Sequence, residues 1–116
     1  MYVTDRPLEI DVERRGEAVI CKLAGSATMD VCHLLNDRLA DTVRGEPRLL
    51  VLDLGDLEFI CSLGLGGLVA TYLYARQHQG RVVVAAPHPA VRELLELTRL
   101  TTLMPIFATA EEALRG

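Results

Sequence analysis

Leu49-Leu50-Val51-Leu52-Asp53-Leu54, followed by Gly55-Asp56-Leu57-Glu58 and then Phe59-Ile60-Cys61-Ser62-Leu63-Gly64-Leu65-Gly66-Gly67-Leu68, is the stretch on which the fold turns. Its first six residues form an apolar run with a single acid near the end, the pattern of a strand covered on both faces. Gly55-Asp56 reads as the break that ends this strand. No charged residue stands between Phe59 and Ala75. That segment is shorter than the ~20 residues of a membrane span, and it carries three glycines plus Ser62 and Thr71. It therefore reads as a buried helix that begins after Ser62, with Leu65, Leu68, Val69 and Tyr72 on one stripe and an end near Gln79-Gly80.

The flanks repeat this theme. Upstream, Asp30 is placed to cap a helix with Val31, Leu34, Leu35 and Leu39 on one face. Asp37, Arg38, Asp41 and Arg44 fall mostly on the other face, and Gly45 and Pro47 stop the helix. Further upstream, Leu8 to Glu13 alternates between apolar and acidic, as a half-exposed strand does. Arg14-Arg15-Gly16-Glu17 reads as a turn into a second strand, Ala18 to Leu23, so the two form an antiparallel hairpin. Ala24-Gly25-Ser26-Ala27 reads as loop. Downstream, Arg81 to Ala86 is another buried-type strand, and Pro87-His88-Pro89 is a turn with Pro89 as a first helical residue. Val91, Leu94, Leu95 and Thr98 stripe the next helix. Met104 to Phe107 is a short strand whose Pro105 suggests an edge. Thr109-Ala110-Glu111-Glu112 is a capping box that opens a last helix through Leu114. The order β-β-α-β-α-β-α-β-α predicts an α/β fold: a mixed, mostly parallel sheet of five strands with four helices, in one domain over residues 1–116.

Composition fits this fold and narrows the function. The 116 residues are half apolar, with no Trp, so the core is aliphatic. Twelve basic against sixteen acidic residues leave a net charge of −4, which argues against nucleic acid as a partner. Met1 is followed by Tyr-Val-Thr-Asp-Arg-Pro rather than by a leader-like apolar run, so a cytoplasmic protein without membrane attachment is expected. Cys21, Cys32 and Cys61 are odd in number and far apart. They suit a reducing compartment as buried hydrophobes better than a disulfide framework or a zinc site.

Chemistry concentrates around Ser62, at the junction between a buried strand and a helix, where open α/β sheets gather functional groups. The plainest account is structural: Ser62 caps the helix, its hydroxyl near the amides of Gly64 and Leu65, and the glycines allow tight packing. A phosphate-binding loop fails, because Gly67 is followed by Leu68 and Val69 where Lys and Ser/Thr are required. A dinucleotide fingerprint fails because Val69 stands at the third glycine position. A hydrolase elbow needs a glycine at Ile60, and none of His33, His78 and His88 has an acidic orienter in sequence. His33 and His78 read as solvated helix positions. A phosphoacceptor serine remains open: a helix start flanked by small residues receives roughly two negative charges without refolding.

Leu49 to Leu68, with its Asp-Leu, Phe-Ile and Ser-x-Gly-x-Gly elements, resembles the central motif of STAS domains, the bacterial anti-sigma factor antagonists. Val82 to Leu114, "VVVAAPHPAVRELLELTRLTTLMPIFATAEEAL", is similar to the C-terminal strand, proline turn and Glu-Glu-Ala-Leu helix of that family. The resemblance implies a non-enzymatic regulator, without cofactor or metal, that captures an anti-sigma factor, often a serine kinase, and so releases a sigma factor. It places the phosphoacceptor at Ser62 and implies a PP2C-type phosphatase that restores the active form. The loop from Gly25 to Asp30 and the helix start at Ser62 follow strands expected to be adjacent, so the partner-binding surface is expected to take in Gly25, Ser26, Thr28, Asp30, Cys61, Ser62, Leu63, Gly64 and Gly66. The chain departs from the family pattern in three places: Cys61 replaces an Asp, Leu63 replaces a Ser or Thr, and Gly25-Ser26-Ala27-Thr28 replaces Gly-Glu-Leu/Ile-Asp. These departures leave room for a silent scaffold role. The alternative from another class is a small-ligand or nucleotide-binding module built on the glycine-rich loop.

Overall fold

Asp53 lies inside a strand twice the expected length. In the computed structural model, which describes residues 6–116, β1 spans Glu9–Arg15, β2 Ala18–Ala27 and β3 Leu49–Ile60. The break expected at Gly55-Asp56 is instead a bulge. From Lys22 to Ala24 of β2, the paired residues of β3 run from Asp53 to Asp56; from Gly25 to Ser26 they run from Leu57 to Phe59. β3 thus takes up an extra residue twice and stays paired. The Gly55 amide at the first irregularity donates to Asp53 Oδ1 at 3.2 Å, so the bulge leaves that donor satisfied. β2 is correspondingly longer, and Ala24–Ala27 is strand rather than loop.

Helix α1 spans Cys32–Arg44, α2 Ser62–Gln77, α3 Pro89–Leu97 and α4 Ala110–Arg115; β4 is Arg81–Ala85 and β5 Ile106–Phe107. The sheet order is β1-β2-β3-β4-β5, with β1 antiparallel to β2 and every other pair parallel. The mixed sheet and four helices are those the sequence pattern predicts. Residues 1–5, where no leader-like run was seen, lie outside the described residues.

Strand pleating sorts the core into two layers. Cys21, Leu23, Leu50, Leu52, Val82 and Val84 point toward the long helices, where Leu35, Leu39, Leu68, Val91 and Leu95 meet them. Ile20, Val51, Val83 and Ala85 point the other way, against Ala113 of α4. On α1 the buried stripe is Cys32, Leu35, Leu39 and Val43, which leaves Leu34, expected inside, half exposed. On α2 the buried positions are Gly64, Leu68, Thr71 and Ala75, with Leu65, Val69 and Tyr72 packed at the margin of the core. Asp30 does not cap α1. Its carboxylate accepts from the Thr28 hydroxyl, and Val31 precedes the helix without a side-chain cap. The last two helices carry their own caps: His88 Nδ1 accepts from the Ala90 amide at 3.2 Å, and Thr109 Oγ1 accepts from the Glu112 amide at 3.1 Å.

Candidate functional site

Two helix starts meet at the carboxyl ends of neighbouring parallel strands. Ala27 ends β2 and pairs with Ile60, which ends β3. One residue on, the Cys61 amide donates to the Ala27 carbonyl at 3.0 Å, tying the start of α2 to the exit of β2. Ser62 is then the first residue of α2 and is exposed. It is not the cap that its position suggested. Cys61, extended at φ −80° and ψ 171°, precedes the helix, and no side chain caps the first turn. α2 also has no acid in that turn. Its leading amides thus keep their partial positive charge for whatever the surface brings.

The glycines behind Ser62 have three different reasons. A Cβ on Gly64 would stand 2.7 Å from Ile60 Cγ1, so Gly64 is a buried packing position and not part of the open surface. A Cβ on Gly66 would meet nothing within 4 Å, and Gly66 is exposed. A Cβ on Gly67 would fall 2.6 Å from Asn36 Cγ, because the Asn36 side chain crosses from α1 into that space.

The β2 side of the proposed surface divides in the same way. Gly25 and Ser26 are buried. The Pro7 carbonyl lies where a Gly25 Cβ would be, and Gly25 has φ +87°, a conformation only glycine adopts freely. The Ser26 amide donates to the Arg6 carbonyl at 3.2 Å. The segment around Arg6 and Pro7 therefore covers these two residues, which shape the surface from beneath. Thr28 is half-buried and Asp30 exposed; their hydrogen bond holds the Asp30 carboxyl below the usual carboxylate range. Cys61 is buried. Of the residues singled out in the sequence, Thr28, Asp30, Ser62, Leu63 and Gly66 reach the surface, while Gly25, Ser26, Cys61 and Gly64 support it.

Two apolar residues of this end were missed. Met29 and Leu34 are 58% and 51% exposed, matching Leu63 at 55%. Leu34 could have been found: at 3.6 residues per turn it falls roughly 145° from the centre of the stripe of Cys32, Leu35, Leu39 and Val43. Met29 stands alone in a polar turn, where no periodicity marks it. A cleft of about 570 Å³ runs between Arg6–Leu8 and the start of α1, lined by Thr28, Asp30 and Leu34. A second of about 480 Å³ lies between α1 and α2, lined by Asn36, Leu63, Gly66 and Gly67.

All three cysteines are free and buried. Burial pushes the Cys21 thiol up to about 11. Burial also raises Cys32, which neighbours the Cys61 thiol and donates to the Met29 carbonyl at 3.4 Å. Among the described residues no cluster of His, Cys, Asp or Glu is arranged to hold a metal ion, and no helix is long and apolar enough to cross a membrane.

A mixed sheet of this order, with a serine opening the second helix, is the frame that the sequence resemblance implied. The model of the STAS domain family matches residues 9–113. The chain belongs to the STAS domain family. This STAS domain is 28% identical over 108 residues to the Anti-sigma F factor antagonist of Paenibacillus polymyxa, covering 92% of each chain. It superposes with a TM-score of 0.87 on the crystal structure of an anti-sigma factor antagonist from Mycobacterium paratuberculosis, at 29% identity over 98% of this chain and 97% of that one. Bacillus SpoIIAA, solved in its phosphorylated form, aligns with a TM-score of 0.74 over 92% of this chain and 97% of that one. At 21% identity that last likeness speaks for the fold.

Proposed function

We propose that this STAS domain is an anti-sigma factor antagonist, a binding protein without catalytic activity of its own, whose hold on an anti-sigma factor is switched at Ser62. The observation that carries the reading is the exposed Ser62 at an uncapped helix start, with exposed Leu63 beside it. Met29 and Leu34 present further apolar surface on the segment leaving the adjacent strand β2. Relatives named as anti-sigma factor antagonists support the class of partner.

The chemistry is transfer of the terminal phosphoryl group of ATP to Ser62 Oγ by a partner with serine kinase activity. A P–O bond to the serine oxygen forms, the bond to the ADP leaving group breaks, and the hydroxyl proton is released. On the free domain the phosphate is tolerated, because first-turn amides and the helix dipole face it. In a dry contact among Met29, Leu34 and Leu63 the same group would have to be desolvated, and the complex dissociates. A PP2C-type phosphatase would reverse the switch by hydrolysing the ester.

The test is calorimetric titration with a kinase-type anti-sigma factor. The native protein binds saturably, and Gly66→Arg, which fills open space, weakens binding at least tenfold without destabilising the fold, because arginine, like alanine, is a better helix former than glycine. Unchanged affinity of Gly66→Arg would place the interface elsewhere.

A further inference from the structure

The first two turns of α2 contain three glycines, no side-chain cap and no acid, so this helix start is weak on its own. Its order has to come from the contacts around it. One is the Cys61 amide on the Ala27 carbonyl. Another comes from α1: Asn36 Nδ2 donates to the Leu63 carbonyl at 3.3 Å, one residue after Ser62. The other end of the same amide, Asn36 Oδ1, is buried and has no hydrogen-bond partner among the described residues. It lies over Gly67. The three atoms nearest to where a Gly67 Cβ would stand are all from Asn36, with Cγ at 2.6 Å and Nδ2 at 3.2 Å.

Two local sacrifices thus meet in one contact. A buried acceptor without a donor is unfavourable, and a glycine inside a helix is unfavourable. An apolar residue at 36 facing an alanine at 67 would avoid both. What the asparagine adds is direction: its donor fixes the Leu63 carbonyl, and in the orientation that makes this bond its carbonyl oxygen occupies the space a side chain at 67 would take. Departures from local preference that serve one geometry mark functional positions.

We infer that Asn36 is a positioning residue, which clasps the first turn of α2 to α1 through the Leu63 carbonyl and the Gly67 backbone and so sets where Ser62 stands. The importance of Ser62 rests on the reading above; the clasp itself does not.

The experiment uses the full chain with Asn36→Ala, Gly67→Ala and the double variant, and needs no kinase. Gly67→Ala lowers the melting temperature in the native background, because the methyl group strikes Asn36. In the Asn36→Ala background the same change raises it, because the methyl enters vacated space and helix propensity improves. Amide exchange followed by NMR reads the positioning directly. Asn36→Ala speeds exchange of the Leu65 to Leu68 amides at least tenfold relative to Val83 in β4. Gly67→Ala that stabilises both backgrounds overturns the clasp, as does exchange of the Leu65 to Leu68 amides that keeps pace with Val83. Absence of phosphate on Ser62 would sink the switch and leave these outcomes standing.

Discussion

The starts of α2 and α4 solve one problem in opposite ways. α4 is six residues long and closes its own amino end: Thr109 accepts from the Glu112 amide, and Glu111 and Glu112 place negative charge against the dipole. α2 is sixteen residues long and does neither. The terminal helix has a saturated end and covers the far face of the sheet. The central helix leaves its end open beside an exposed serine and depends on Ala27 and Asn36 to hold it. α1 is uncapped and acid-free as well, so the two open helix starts are those that follow β2 and β3, while those that follow β4 and β5 are capped.

The largest expected effect breaks this comparison by closing the open end. Ser62→Asp sets a fixed charge at the first helical position, which the dipole favours in the free domain. In the complex that charge must be desolvated. A loss of ~3 kcal/mol corresponds to more than a hundredfold lower affinity. Calorimetry against the anti-sigma factor checks it, with thermal unfolding expected to show no loss of stability.

Next comes the contrast among the glycines of the open end. Gly64→Val drives side-chain carbons into Ile60 and should cost about 1–3 kcal/mol, as overpacking does. Gly66→Ala meets nothing and should stabilise by about 0.5–1 kcal/mol through helix propensity. Denaturant unfolding of the two variants decides whether packing and openness are divided between these neighbours in this way.

Beneath the site, Cys21 is fully buried, and its thiol is pushed up to about 11. Its folded value lies above the unfolded one, so its contribution is complete below about pH 9 and is lost as pH rises toward 11. At 1.4 kcal/mol per pH unit this amounts to about 2–3 kcal/mol. Unfolding midpoints measured from pH 8 to 11 should fall more steeply for the native protein than for Cys21→Ala.

The smallest effect sharpens the comparison most cleanly. Thr109→Ala removes a cap and should destabilise by ~1 kcal/mol. Ser62→Ala removes no cap and should change stability by less than ~0.5 kcal/mol. Equal losses in thermal unfolding would mean that Ser62 does cap α2 in solution.

The order of elements was legible in the sequence because each carries a local mark: alternation in β1, unbroken apolar runs in β3 and β4, an apolar stripe in α1 to α3 and a capping box before α4. The Thr109 cap was legible because cap and acceptor amide lie within one turn. The lengths of β2 and β3 were not, because Gly55-Asp56 looks the same whether a strand stops or bulges; only pairing with β2 tells them apart. Ser62 was found by its place after a buried strand, yet its capping role was misassigned. The helix starts one residue earlier than a serine cap would allow, with Cys61 extended before it. Gly64, Gly66 and Gly67 look alike in sequence. Their reasons lie in Ile60, in solvent and in Asn36, and the last is thirty-one positions away. Contacts of that range leave no local trace.

On the function proposed above, the open end of α2 receives a phosphate on Ser62. Incubating the full chain with the kinase-type anti-sigma factor and ATP, then mapping the product by mass spectrometry, tests it most directly. A single phosphate on the peptide containing Ser62, absent in Ser62→Ala, is the predicted result. Phosphate on another residue, or none at all, would contradict the account.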